Sequence, residues 1–173
     1  MLTQQTDVAS VGRARQIAVP QEARALTTLP RVDYQDAFRV DTNLARERTG
    51  EQWARAMLED APAATRRALR WTWLTLGLRL GSTRDETRVF GWEVRRRSQD
   101  FALLRARSLL GLQAEVLLKR GEDSVVCASF LRVANPLARA VWSGIAPVHR
   151  RAVPDLLGAA ARRLARLERM DES

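Results

Sequence analysis

Apolar and polar residues alternate along the chain after Gly81, a pattern that indicates strands because successive strand side chains point to opposite faces. In the first alternating segment we expect Phe90, Trp92 and Val94 to share one face. Short turns with glycine or polar residues separate the segments, and they are too short for parallel crossovers. The pattern predicts an antiparallel meander of four strands, at residues 89–97, 101–108, 112–119 and 125–133.

The part of the chain before Gly81 predicts one strand and two short helices. Residues 32–42 are rich in aromatic and β-branched positions that favour a first strand. Thr49 and Gln52 have the spacing of a capping box, which predicts that a helix begins just after Thr49. A second helix is predicted from about Pro62, a residue that suits a first helical turn, to Leu76 or Leu78.

A long helix is predicted at the C-terminal end of the chain. Asn135 is a good N-cap and Pro136 a good first-turn residue. Pro147 and Pro154 predict a kink, or a short helix before a long one. One apolar stripe has spacings of four, three, four and three residues, and it consists of Val153, Leu157, Ala160, Leu164 and Leu167.

The order of these elements predicts an α+β fold in one domain. Residues 1–30 are polar and have no sustained period, so we expect an extended or partly mobile N-terminal arm there. Residues 31–170 are expected to form a single domain with helices packed on one face of an antiparallel sheet. A bent sheet that grips a long helix would leave an apolar cavity between them.

Composition narrows the class of protein. Hydrophobic residues make up 46% of the 173 residues, enough for one core and too many for a disordered chain. No apolar run reaches the length of a membrane helix, and no secretory h-region is seen, so a cytoplasmic location is expected. With one cysteine and one histidine, an intramolecular disulfide is excluded, and we expect neither a metal site nor a cofactor.

The formal charge of +9 raises a second class of function. Lys119 is the only lysine among 29 basic residues, so the excess is carried by arginine. An arginine-rich surface could bind a protein or a nucleic acid, and this stays an alternative. The arginines are spread along the whole chain, as a GC-rich coding sequence would produce. No helix-turn-helix, zinc-finger or RNA-binding motif occurs, so no specific nucleic-acid partner is predicted.

Four short segments resemble the START-like or Bet v 1-like (SRPBCC) superfamily, and within it a poorly characterised bacterial family. The likeness covers about residues 32–168, although Val141 stands where members often carry an aromatic residue. The segments are DYQDAFRV at 33–40, EQWARAML at 51–58, VFGWEV at 89–94 and VWSGIAPVHRRAVPDLL at 141–157.

This resemblance implies a helix-grip fold, in which a curved antiparallel sheet wraps around the long C-terminal helix and two short helices follow the first strand. It also implies binding of a lipid, polyketide, sterol or other apolar ligand. Some members of the superfamily are cyclases or aromatases. The uncharacterised family itself implies no particular activity.

Four residues are candidates for the site. His149 is the only candidate acid or base, and its alternative is a structural hydrogen bond. Trp92 and Trp142 are candidates for the cavity lining, with core packing as the alternative. Arg105 could hold a ligand carboxylate if its strand face lines the cavity, and otherwise lies on a solvated outer face. Cys127 is expected to be a buried, unreactive thiol.

The sequence therefore supports three functions, which we rank. The first is binding of a small hydrophobic ligand without covalent chemistry, so the chain is expected not to be an enzyme. The second is a cyclase-like or dehydratase-like enzyme that uses His149 on a bound apolar substrate. The third is an interaction module that uses the arginine-rich surface. A homodimer through a sheet edge or a helix is left open by the sequence.

Overall fold

The computed structural model describes residues 11–171, and within them the chain forms an α+β fold with one open antiparallel sheet of eight strands. The sheet order is β1-β2-β8-β7-β6-β5-β4, and β3 pairs with the end of β6. The strands are β1 (Arg15–Ile17), β2 (Tyr34–Asp41), β3 (Leu78–Arg79), β4 (Arg88–Val89), β5 (Trp92–Arg97), β6 (Phe101–Ser108), β7 (Leu112–Arg120) and β8 (Ser124–Val133). The helices are α1 (Gln21–Arg24), α2 (Gly50–Leu58), α3 (Ala63–Thr75) and α4 (Pro136–Asp171), with a 3-10 turn at Ala45–Glu47.

The antiparallel meander of β5, β6, β7 and β8 is confirmed, but a turn interrupts the predicted strand 89–97, so that β5 begins only at Trp92. That segment is a hairpin, in which Val89 of β4 pairs with Trp92 of β5. Phe90 and Gly91 form the turn with φ values of +49° and +90°. The alternation of apolar residues hid this turn because the bulky Phe90 is an unusual residue in the left-handed region.

The predicted start of α2 is confirmed by its capping box. Thr49 Oγ1 accepts from the Gln52 amide at 3.2 Å, and Gln52 Oε1 accepts from the Thr49 amide at 2.8 Å. Gly50 lets the helix approach the sheet closely, since a Cβ there would lie 2.4 Å from the Cα of Phe101. The second short helix is also found, as α3.

The long C-terminal helix is confirmed, and its cap is the predicted one. Asn135 Oδ1 accepts from the Ala138 amide at 2.8 Å. The prediction of a short helix before a long one is wrong, because α4 continues through Pro147 and Pro154. Each proline removes one backbone hydrogen bond, but buried residues on both sides of the prolines, among them Trp142 and Leu157, hold the helix against the core. Leu167 of the predicted stripe is exposed.

The two faces of the sheet are buried by different parts of the chain. The inner face packs against α2 and α4 and contributes most of the main core, including Phe38, Leu104 and Leu118. The outer face carries a smaller apolar cluster, covered by Ala23 and Leu29 of the N-terminal segment. The inner face therefore borders the helices, where a cavity can form.

The predicted N-terminal arm, residues 1–30, divides into two parts. Residues 1–10 lie outside the described residues. Residues 15–17 form β1 and pair with β2, and α1 packs on the outer face. The second part therefore belongs to the same folded unit as residues 31–170. Between residues 11 and 171, no helix combines the length and apolar content needed to cross a membrane.

Candidate functional site

A cavity of about 120 Å³ lies between the inner face of the sheet and the helices. Its wall is almost entirely apolar. Side chains of α2, α3, the sheet and α4 all contribute, among them Met57, Leu69, Val116, Leu131, Ile145 and Val153. Such a cavity is the kind of space in which small ligands are held, with a few polar groups to orient them.

Trp92 and Trp142, both predicted to line a cavity, do line it. They are 4% and 7% exposed, and neither indole Nε1 has a hydrogen-bond partner among residues 11–171. Trp92 packs edge-on against Trp73 with ring centroids 5.4 Å apart, and Trp142 packs edge-on against Tyr34 at 4.9 Å. Most buried donors in proteins are paired, so two unpaired indole N–H groups in residues that line one cavity are unusual.

His149, the third predicted lining residue, belongs to a polar cluster that we define as Tyr34, Asp36, Ser129 and His149. His149 Nε2 lies 3.2 Å from Asp36 Oδ2 and 3.2 Å from Ser129 Oγ. The Tyr34 hydroxyl donates to Asp36 Oδ2 at 2.6 Å. The polar cluster thus interrupts an otherwise largely apolar part of the described inner face.

Local structure explains how the polar cluster forms. Tyr34 and Asp36 are two residues apart on β2, so their side chains share the inner face. Ser129 is the register partner of Asp36 on β8. α4 crosses these two strands and brings His149 onto them. Three elements therefore meet at one carboxylate.

The electrostatics favour an ionised Asp36. Its side chain is 2% exposed, and this burial by itself would raise the pKa of the carboxyl group. The hydrogen bond and charge interaction with His149 and the hydrogen bond from Tyr34 outweigh burial, so the pKa of Asp36 lies below its ordinary value. Burial and the neighbouring carboxylate raise the pKa of Tyr34, which keeps its hydroxyl a donor.

The polar cluster is not arranged as a Ser-His-Asp triad. A triad needs the serine and the carboxylate on opposite ring nitrogens, whereas Asp36 and Ser129 both approach Nε2 of His149. Cys127 is not a nucleophile either, because burial and the charge of Asp36 raise the pKa of its thiol. The second ring nitrogen, Nδ1 of His149, has no hydrogen-bond partner in the described part of the chain.

Arg105, the fourth predicted site residue, does not line the cavity. Its strand position is on the outer face, where its guanidinium binds Glu115 with Nη2 and Nε at 2.7 and 3.0 Å from Oε1. Glu115 is fully buried and also accepts from the Thr27 hydroxyl at 2.6 Å and the Thr28 amide at 2.9 Å. Arg105 is thus neither a cavity residue nor a solvated one, because the N-terminal segment covers it.

Tyr34, Asp36 and Ser129 are site residues that the sequence analysis did not select. A signal was present, since Asp36 and Ser129 interrupt strand faces that are otherwise apolar at Phe38 and Cys127. A polar residue at a buried strand position needs a hydrogen-bond partner. Two such residues on neighbouring strands are therefore expected to lie opposite each other. The pairing of β2 with β8 was the missing information.

The described arginines differ in their surroundings, since Arg162, Arg166 and Arg169 lie together along α4 whereas others are paired with carboxylates. Many arginines are paired with carboxylates on the sheet and on the helices. Examples are Arg55 and Arg97, which share Glu51 at 2.8 Å each, and Arg120, which binds Asp100 at 3.0 Å. These pairs offset much of the local positive charge.

Comparison with known proteins leaves the family open. The chain matches no protein-family model, no curated protein and no solved structure. The resemblance to the START-like superfamily therefore stays a prediction from short sequence segments.

Proposed function

We propose that this protein binds a small, mostly apolar molecule that carries a hydrogen-bond acceptor, in the cavity between the inner face and α4. We also propose that the α+β architecture is a helix-grip fold, supported by the packing of α4 across β2 and β8. The observation that carries the function is the apolar cavity, whose wall includes two tryptophans with buried, unpartnered indole N–H groups.

The size of the cavity supports a ligand of about one ring. An engineered apolar cavity of roughly 150 Å³ holds benzene, and the cavity here has about 120 Å³. A sterol or a long acyl chain would need much more room. We therefore propose a smaller ligand than the lipids and polyketides that the resemblance implies.

The wall also supports one orientation for the ligand. Apolar side chains take up the ring, and an oxygen atom of the ligand accepts from Trp142 or Trp92. A carbonyl, hydroxyl or ether oxygen would satisfy a donor that otherwise costs about 1–3 kcal/mol when buried. A pure hydrocarbon would leave that cost in place, so we expect weaker binding of hydrocarbons of equal size.

Native mass spectrometry of gently purified protein, followed by organic extraction, is the first test. We expect one small apolar adduct per chain. Added benzene and cyclopentanone then serve as probes, followed through the indole N–H resonances of the tryptophans. We expect cyclopentanone to bind more tightly than benzene and to shift the Trp142 and Trp92 signals.

A cavity-filling variant provides the matched control. Ala152→Phe places a ring in the cavity wall from a half-buried position on α4 and should abolish binding of both probes. Ala159→Phe makes the same change at a half-buried position of α4 outside the cavity and should leave binding intact. Equal binding by the Ala152→Phe protein would contradict a ligand site in this cavity.

A further inference from the structure

We propose that the cavity is also a proton-transfer site, in which Nδ1 of His149 removes a proton from the carbon next to the carbonyl group of a small apolar ketone. This inference rests on the proposed function, because the ketone must first occupy the cavity. It adds a reaction class, a base atom and an oxyanion donor.

The neighbours of His149 determine which ring nitrogen carries the hydrogen. Asp36 Oδ2 accepts at 3.2 Å from Nε2, and the same oxygen accepts from the Tyr34 hydroxyl at 2.6 Å. An ionised carboxylate can only accept, so the neutral imidazole carries its hydrogen on Nε2. The lone pair then lies on Nδ1, which has no other partner among residues 11–171.

The oxygen of the ketone needs a hydrogen-bond donor. Trp142 lies edge-on to His149 with ring centroids 5.2 Å apart, and its buried indole N–H has no partner in the described structure. The Trp142 and His149 side chains are thus neighbours, and both residues belong to the wall of one cavity. A fixed donor in an apolar site stabilises negative charge on oxygen more strongly than water does.

The chemistry is balanced without any other reactant. The C–H bond breaks, its proton passes to Nδ1, and its electron pair forms a carbon–carbon double bond while the carbonyl oxygen becomes an enolate. The Trp142 N–H donates to that oxygen. The proton then returns from Nδ1 to carbon. When a solvent proton or deuteron replaces the one on Nδ1 before the return, delivery to the same carbon exchanges hydrogen. In an unsaturated ketone, delivery to a more distant carbon moves the double bond.

The residues have separate roles in this proposal. His149 is the catalytic base, and Trp142 is the donor to the oxygen. Asp36 and Tyr34 are positioning residues that hold the histidine in one tautomer and one orientation. Ser129 supports the same nitrogen. The reaction class that this arrangement fits is isomerisation through an enolate, which requires no nucleophile from the protein.

The test is hydrogen–deuterium exchange at the α-carbons of cyclopentanone in D₂O, read by proton NMR. This ketone has the same number of non-hydrogen atoms as benzene and so suits the cavity. We expect the protein to exceed an equal concentration of free imidazole by about 100-fold or more, as a positioned base does. His149→Gln should reduce exchange to the imidazole blank, and retained exchange in that variant would overturn the proposal.

A tryptophan pair tests the donor. Trp142→Phe keeps an aromatic ring but loses the indole N–H. Exchange should fall about tenfold, equivalent to one lost hydrogen bond. Trp71→Phe makes the same change on α3 at an indole that is 71% exposed and outside the cavity, and should leave the rate unchanged. Equal rates for the two variants would overturn the role of Trp142.

The positioning role of Asp36 has a spectroscopic signature. His149 is the only histidine, so labelled protein gives a single pair of ring ¹⁵N signals. We expect a protonated Nε2 and an unprotonated Nδ1 in the neutral state, with the tautomers mixed in Asp36→Asn and exchange reduced. An unchanged tautomer in Asp36→Asn would contradict positioning by this carboxylate. Thermal unfolding checks that each variant is folded.

Two results separate this inference from the proposed function. Cyclopentanone that shifts the indole N–H signals but exchanges no faster than the blank overturns the proton transfer and leaves ligand binding standing. Absence of any shift with cyclopentanone and with benzene, in protein without an adduct, overturns both.

Discussion

The outer and inner faces of the sheet both bury charged groups, and they treat these groups differently. On the outer face Glu115 binds Arg105, Thr27 and Thr28, and no buried polar atom of that network lacks a partner in the described chain. The inner side has the Asp36–His149 pair and two unpartnered indole N–H groups, and only one of these, that of Trp142, belongs to a ring packed against His149.

The difference separates a fully paired network from a side of the sheet on which buried polar atoms stay unpaired. Within residues 11–171, four buried side-chain polar atoms have no partner. Three of them lie on the inner side, namely Asp36 Oδ1, Trp92 Nε1 and Trp142 Nε1. Most buried polar atoms in proteins are paired, as those of Glu115 are, and the proposed function assigns the two indole N–H groups to a ligand.

Removal of Glu115 is expected to give the largest effect. Glu115→Ala leaves the Arg105 guanidinium buried without its carboxylate, which should cost about 3–5 kcal/mol of unfolding free energy. Urea unfolding measures this. Glu51→Ala, whose partners Arg55 and Arg97 are more exposed, should cost about 1 kcal/mol or less. A similar cost for both variants would remove the distinction between the outer network and a surface ion pair.

Acid should destabilise the fold through both faces. Burial alone would raise the pKa of Glu115, but hydrogen bonds from Thr27, Thr28 and Arg105 lower it from its ordinary 4.5. The pKa of Asp36 is lowered from 3.8. A carboxyl with a depressed pKa stabilises the fold above its ordinary value, and this contribution is lost as pH falls through the depressed value.

Stability should therefore decline as pH falls below about 4.5. Melting temperatures between pH 7 and pH 2 measure the decline. Glu115→Gln should flatten it by removing one of the titrating carboxyls, and Asp36→Asn should flatten it separately. A decline of equal steepness in both variants and in the unaltered chain would contradict the lowered pKa values.

Loss of one hydroxyl from the outer network should have an intermediate effect. Thr28→Val keeps the shape but removes the hydroxyl that bonds both Glu115 and Arg105, and should cost about 1–2 kcal/mol. Thr75→Val removes an exposed hydroxyl that bonds only a carbonyl of its own helix, and should cost less than about 0.5 kcal/mol. Chemical unfolding of the pair decides whether the N-terminal segment is held by this network.

The last stability effect is expected on the inner face. Trp142→Phe removes an N–H that bonds nothing in residues 11–171 and also part of a buried ring, so the ligand-free protein should lose about 1–2 kcal/mol through packing alone. Saturating cyclopentanone should then stabilise the unaltered protein more than the variant in thermal unfolding. A loss well beyond this packing cost would show that the indole N–H is a structural donor.

Several parts of the fold and the site could be predicted because the signal was local. The capping box at Thr49, the cap at Asn135 and the period of β6 to β8 each depend on residues a few positions apart. His149, Trp92 and Trp142 were selected by residue type, and all three line the cavity. The turn at Phe90 was missed because its neighbours alternate as a strand does.

Strand pairing across the sheet decided which side chains meet, and local sequence signals could not show this. The sequence by itself determined the strand periods, the helix limits and a lone histidine before the end of the chain. Only the tertiary structure brought Tyr34 and Asp36 to His149, and only it placed Arg105 under the N-terminal segment. The physical reason is that alternation tells which side chains share a face, whereas register and helix packing choose what that face meets.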